Sequence, residues 1–242
     1  MEDASGMKPY YGIDAPGVVR NLAIACIALC LVSVYFPMLT IGSLRIELSG
    51  LIWSGFFCGL GATLMLGYSL YGKYRHRDKM LNFVTWSGNE QLLDIGTGLG
   101  LLMIGAAHKI INGKSIGIDI WNVEDLTGNT LKGALKNAKI EGVAHKVEIL
   151  NENVMDMSFA NNTFDVILTN MCLHNIYTVD GRKTACEQIA RVLKKDGTAV
   201  ISDWKHVKEY NQHFIALGLR TELLPAAYFT TFPAITTLIV KK

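Results

Sequence analysis

The sequence predicts an α/β domain with a mostly parallel sheet covered by helices on both faces, preceded by a helical hairpin that spans a membrane. Three observations predict it. Two long uncharged runs fill the first third of the chain. Strand and helix patterns alternate from residue 88 onward, and the first of those strands runs into a glycine-rich turn.

Composition supports this division. Of 242 residues, 50% are hydrophobic and only 18% charged, where a soluble domain carries about a quarter charged residues. The deficit lies almost wholly in the first third. A formal net charge of +2 leaves no long basic stripe to neutralise phosphates, so a nucleic-acid partner is not expected. The five cysteines, Cys26, Cys30, Cys58, Cys172 and Cys186, form no Cys-x-x-Cys pair. No metal site and no disulfide framework are expected, and the pattern suits a reducing compartment.

No charged residue occurs at 21–41 or at 48–72. At about 1.5 Å per residue each run covers a hydrocarbon core of about 30 Å. The polar interruption 42–47 suits a tight turn between them. Gly55 and Gly59 form a G-x-x-x-G pair, and Ala23, Ala25 and Ala28 offer small facing surfaces. Lys8 and Arg20 precede the first span and Lys73, Arg75, Arg77 and Lys79 follow the second, while the connecting loop holds only Arg45. Positive residues stay on the cytoplasmic side, so both chain ends are expected there. Tyr68, Tyr71 and Tyr74 are read as interfacial anchors. The expected divisions are an N-terminal cytoplasmic segment 1–17, a transmembrane hairpin 18–72, a basic juxtamembrane linker 73–87 and a domain 88–242. A buried hairpin that never meets lipid is the competing reading.

Within the domain, strands are expected at 91–95, 115–120, 146–150, 163–169, 198–202, 219–224 and 235–240. Helices are expected at 99–111, closed by Asn112-Gly113, and at 126–141, 182–193 and 209–217. In such sheets ligands bind beyond the carboxyl ends of the strands. The first strand ends in Asp94-Ile95-Gly96-Thr97-Gly98-Leu99-Gly100. Its glycines let a ligand approach the backbone, and the following helix presents free N–H groups to an anion. A dinucleotide fingerprint would need Gly or Ala at 101 or 103, where Leu101 and Met103 stand. Asp94 suits instead the positive amino end of S-adenosylmethionine (SAM), and Asp119, closing the second strand, suits its ribose hydroxyls.

These pieces, with 153–159, 164–176 and 187–203, resemble class I SAM-dependent methyltransferases, close to the branch typified by ubiquinone and menaquinone biosynthesis. The turn Arg191-Val192-Leu193-Lys194-Lys195-Asp196-Gly197 is similar to the family's R-V-L-K-P-G-G. The resemblance covers 88–242. It implies a Rossmann-like seven-stranded sheet of order 3-2-1-4-5-7-6 with the seventh strand antiparallel. It also implies a cofactor set of Asp94, Gly96, Thr97, Gly98, Gly100, Asp119, Ile120, Asn153, Val154 and Asn170. Asn153 and Val154 would flank the adenine; the family usually has Asp where Asn153 stands, and an amide oxygen still accepts there.

The fourth strand runs into Asn170-Met171-Cys172-Leu173-His174 beside the expected methyl position. His174 is the candidate base, since an imidazole titrates near neutrality; a histidine that only holds the loop is the alternative. Asp203 and Trp204, after the fifth strand, and Tyr10 and Tyr11, in a segment expected to close as a lid, are the candidate acceptor contacts. The function expected is transfer of a methyl group from SAM to a small, hydrophobic or amphipathic acceptor at the cytoplasmic face of a lipid bilayer. A non-catalytic SAM-binding scaffold is the alternative. Arsenite methylation is set aside because only Cys172 and Cys186 lie in the domain.

Overall fold

Pro16 opens helix α1 (Pro16–Tyr35), where its missing N–H falls at a position without an intrahelical partner. The computed structural model describes residues 7–242; residues 1–6 of the expected N-terminal segment lie outside the described residues. After α1 the chain makes a short antiparallel ribbon, β1 (Met38–Ile41) and β2 (Leu44–Glu47), turning at Gly42 with φ +61°. Helix α2 (Leu51–Gly67) then returns beside α1. The two pack closely because Gly55 and Gly59 carry no side chain. A Cβ would lie 2.7 Å from Cys30 Sγ at Gly55 and 2.8 Å from Cys26 Sγ at Gly59. The cysteines, not the alanines, therefore fill the small-residue seam. Outer faces such as Ile27, Trp53 and Phe57 are exposed. By length and composition, helices Pro16–Tyr35 and Leu51–Leu81 suffice to cross a membrane.

The second helix continues past α2 through a π turn (Tyr68–Gly72) into α3 (Lys73–Leu81). Residues 73–81 are thus not the linker that their charge suggests. Lys73, His76, Met80 and Leu81 are buried, because the helix lies on the domain and keeps Arg75, Asp78 and Lys79 outward. Of the three tyrosines read as interfacial anchors, only Tyr71 is exposed. Tyr68 is buried, and Tyr74 packs edge-on against Tyr11 with ring centroids 5.8 Å apart.

The domain strands are β3 (Gln91–Ile95), β4 (Lys114–Asp119), β5 (Val147–Asn151), β6 (Phe164–Asn170), β7 (Leu193–Asp203), β8 (Arg220–Leu223) and β9 (Thr236–Lys241). They form one mixed sheet in the order β5-β4-β3-β6-β7-β9-β8. The first five in that order run parallel, and β9 is antiparallel to both β7 and β8. Alternate residues feed opposite layers. Ile167 and Ile201 pack under α6 (Val179–Val192) and α7 (Val207–Ala216), while Val166, Leu168 and Val200 meet α3 and α4 (Leu101–Ala107). Both faces are covered, which is why these strands read as continuous apolar runs. Each such side chain fully removed from water contributes roughly 1.5–3 kcal/mol.

Two helices start later or end sooner than their apolar spacing implies. Gly100, at φ +87°, delays α4 to Leu101. Thr130 caps α5 (Leu131–Ile140) by accepting the Gly133 N–H, so residues 121–129 form a loop instead of its first turns.

Candidate functional site

The site is built at the carboxyl edge of the sheet, where β3 and β4 end. Gly96, Gly98 and Gly100 all have positive φ, which lets the chain reverse tightly without Cβ clashes. The turn is held by the two expected carboxylates. Asp94 Oδ2 accepts from Thr97 Oγ1 at 2.8 Å and from Met103 N at 2.9 Å. Asp119 Oδ2 accepts from Gly98 N at 2.8 Å, and its Oδ1 accepts from Trp121 N at 2.7 Å. Asp94, Thr97, Gly98 and Asp119 are therefore brought together, Asp119 bridging one strand end to the turn of the next.

The other oxygen of Asp94 is buried and has no partner. Burial raises the Asp94 carboxyl to about 7; the Thr97 and Met103 hydrogen bonds oppose that shift, and nearby Asp119 adds to it. Burial likewise pushes the Cys172 thiol up, helped by Asp119, Asp203 and Asp94, so Cys172 is a packed thiol and not a nucleophile. Three carboxylates thus surround one small volume. A sulfonium nucleoside with a positive amino end fits this donor set, and Asp94, the glycine turn and Asp119 are the residues that would hold it. The cradle is covered by the chain's own side chains. A methyl group on Gly98 would meet Leu126 at 2.9 Å, and one on Gly96 would meet Cys172. Leu126 and Cys172 must give way where a ligand lies against these glycines.

The remaining expected contacts divide. Ile120 is exposed at the rim. Asn153 is exposed and turns its oxygen to the Met155 N–H, while Val154 packs into the core with Ile118 and Met157. Asn170 ends β6 with a buried, unpartnered Oδ1. His174 sits on a short 3-10 turn after β6, with Nδ1 2.8 Å from Oδ1 of Asp203. That approach is too oblique for an aligned hydrogen bond. Asp203 is 1% exposed and is fixed by accepting the N–H groups of His174 and Trp204. The Trp204 ring stands edge-on to His174, centroids 5.6 Å apart. Facing this pair, Asp125 has its carboxyl raised by burial, an effect that His174 opposes.

Tyr10 and Tyr11 are not at this cleft. The Tyr11 ring is buried against Leu99 and Met103, and its hydroxyl donates to Glu141 Oε1 at 2.9 Å, beyond the end of α5. Tyr10 pairs its backbone with the Asn137 side chain. Tyr11 anchors the segment by packing and Tyr10 by its backbone, and residues 12–15 reach the loop after β4 instead. Ala15 N donates to Asp125 O, Thr127 N donates to Ile13 O, and Gly12 lies against Leu126. Lys73 secures this strap from the root of the second hydrophobic helix, donating to the carbonyls of Tyr11 and Gly12 at 2.6 Å, with Asp14 at 3.5 Å.

Sequence reasoning missed a second group. His76 Nε2 lies 2.7 Å from Ser202 Oγ, one residue before Asp203, and the Tyr68 hydroxyl is buried without a partner close to Asn170. The π turn that aims Tyr68 inward was the available structural cause, and such turns recur at functional sites. A tyrosine at the end of an apolar run gives no sign of it.

Residues 93–201 match the family model described as a methyltransferase domain. Demethylmenaquinone methyltransferase of Bacteroides fragilis is 29% identical over 125 residues, covering 52% of this chain and 47% of its own length. The chain thus spans about half the length of the curated relatives it matches. Among solved structures, a SAM-dependent methyltransferase from Aquifex aeolicus aligns with a TM-score of 0.54 at 18% identity, over 68% of this chain and 88% of that one. Geranyl diphosphate C-methyltransferase from Streptomyces coelicolor, in complex with S-adenosyl-L-homocysteine, aligns with a TM-score of 0.55 at 12% identity, over 69% and 78%. At these identities the structures establish the fold.

Proposed function

We propose that this chain, whose residues 93–201 match a methyltransferase domain, moves a methyl group from SAM to a small, hydrophobic or amphipathic acceptor at the cytoplasmic face of a membrane. In this reading α1 and α2 span the bilayer and the domain lies on the side marked by Arg20, Arg75 and Lys79. One observation carries the membrane-side acceptor: the second hydrophobic helix continues onto the carboxyl end of the sheet, where Tyr68 lies close to Asn170 and His76 Nε2 lies 2.7 Å from Ser202 Oγ, on the face opposite Asp203. An anchor used only for location would need no such junction.

When bound, SAM supplies an electrophilic methyl group on a sulfonium. The chain's part is to hold the nucleoside with Asp94, the glycine turn and Asp119, and to exclude water. His174, oriented by Asp203, takes the proton of a hydroxyl, amine or thiol acceptor. Tyr68 and Asn170, each with an unpartnered buried polar atom, hold the acceptor's polar head, and Trp204 walls it. The test is to incubate the purified chain with methyl-labelled SAM and with separated lipid and aqueous cell extracts. Label is expected in the lipid fraction. Label confined to the aqueous fraction overturns the acceptor class. SAM binding by calorimetry with label in neither fraction favours a non-catalytic scaffold.

Residues 12–15 act in this scheme as the closing strap of the cofactor loop. Lys73→Met leaves the carbonyls of Tyr11 and Gly12 unpaired in a buried place, which costs about 1–3 kcal/mol each. SAM affinity is expected to fall about tenfold or more, with melting temperature measured alongside. Unchanged affinity would remove the strap from cofactor binding.

A further inference from the structure

The hairpin leaves the domain from one particular edge. Helix α1 begins at residue 16, directly after the strap pairs Asp14 with Leu126 in the loop beyond β4. The second hydrophobic helix returns to the same place, where Ser69 bonds Asp14. From there α3 descends along the sheet: His76 meets Ser202 near the carboxyl end of β7, and Met80 and Leu81 share a cluster with Leu92, near the amino end of β3. Both apolar helices are therefore rooted at the carboxyl edge, the edge that holds Asp119, His174 and Asp203.

Four of the loops on that edge carry exposed apolar residues. Ile120 and Val123 follow β4 and are 64% and 63% exposed; Tyr177 follows β6 and is 91% exposed; Trp204 follows β7. Strand β8 runs parallel to β7, since both are antiparallel to β9, so the loop after it opens on the same edge. That loop bears Tyr228 and Phe229, the latter wholly exposed. Outside the hairpin, every exposed aromatic side chain among the described residues lies on these loops, apart from Tyr10 on the strap. Lys205 holds its ammonium 5.9 Å from the Trp204 ring, the pairing of base and amphipathic ring that suits a headgroup layer.

We propose that Ile120, Val123, Tyr177, Trp204, Tyr228 and Phe229 form a bilayer-contact surface, so that the domain sits with its carboxyl edge against the interface and the cleft between β6 and β7 opens onto lipid. The occupant is the headgroup–acyl boundary of the membrane crossed by α1 and α2. The proposal rests on the anchoring proposed above and adds to it an orientation. Single exposed apolar residues are ordinary, but their gathering on the edge where both apolar helices are rooted is the arrangement that suits a membrane interface. An acceptor dissolved in the bilayer would then reach His174 without crossing water.

The full chain is to be reconstituted in nanodiscs of phosphatidylcholine and phosphatidylglycerol, as the Phe229→Cys, Tyr177→Cys and Ile111→Cys variants, each labelled with a polarity-sensitive fluorophore. Ile111 is a matched control, apolar and 71% exposed but on the connection leading into β4 at the opposite edge. The parent chain supplies the background from its five native cysteines. Labels at 229 and 177 are expected to emit blue-shifted and to lose intensity when the discs contain brominated acyl chains, while the label at 111 does neither. If the chain co-elutes with the discs and labels at 229 and 177 behave like the one at 111, the contact surface is overturned and the anchor stands. A chain that does not co-elute with the discs overturns both.

Discussion

Asp119→Asn is expected to weaken SAM binding by about 10- to 100-fold in calorimetry, and Asp119→Lys to abolish it. The magnitude follows from the chemistry of a charged acceptor. Hydrogen bonds to an ionised group contribute about 1.5–3 kcal/mol, against about 1 for a neutral one. The Asp119 carboxylate would serve the chain as well as the ligand, since it fixes the Gly98 and Trp121 N–H groups and so sets the turn proposed to hold the nucleoside. The amide retains one acceptor oxygen, so the turn keeps one of its two ties and the fold survives. The lysine brings a positive charge to the side of a cationic ligand and offers the turn no acceptor at all. Circular dichroism of each variant separates loss of the site from loss of the fold. Parent-like SAM affinity in Asp119→Lys, with the fold intact, would break the assignment of this carboxylate to the cofactor.

What the sequence revealed and what it hid follow from the range of the interactions involved. The turn at 96–100 and its flanking Asp94 were legible because the constraint is local: a strand must reverse into a helix, and only glycines accept the positive φ that the reversal imposes. The alternation of apolar strands was legible because both faces of the sheet are covered. The burial of 73–81 was hidden because Arg75, Arg77, Asp78 and Lys79 obscure a stripe of Lys73, His76, Met80 and Leu81 at helical spacing. A buried lysine is unexpected unless its partners are known, and here they are backbone carbonyls more than sixty positions away in the chain. The adjacent tyrosines at 10 and 11 suggested ligand contact because aromatic residues in a polar tail have few local uses. Their actual uses, Tyr11 packing beside Leu99 and bonding Glu141 and Tyr10 pairing its backbone with Asn137, are set by tertiary structure alone.

The same reasoning bears on His174, whose role depends on a partner that chain order does not reveal. Asp203 lies on the next strand, fully buried, with its two oxygens already receiving the N–H groups of His174 and Trp204. A carboxylate so fixed cannot swing away, and it sits 2.8 Å from Nδ1. A small rotation of the ring, of the kind an acceptor pressing on Trp204 would impose, aligns that contact and leaves Nε2 as the free base. His174→Ala should therefore lower kcat by about 10²- to 10⁴-fold on the acceptor recovered from the labelled fraction, while SAM affinity stays near the parent value. His174→Gln keeps a polar side chain but cannot carry a proton, and it should lose rate to a similar extent. Asp203→Asn should fall between the two, because the amide still accepts one N–H but no longer stabilises the imidazolium. If His174→Gln keeps parent activity, the histidine merely holds its loop, and the acceptor must reach the methyl group already deprotonated or without a proton to lose.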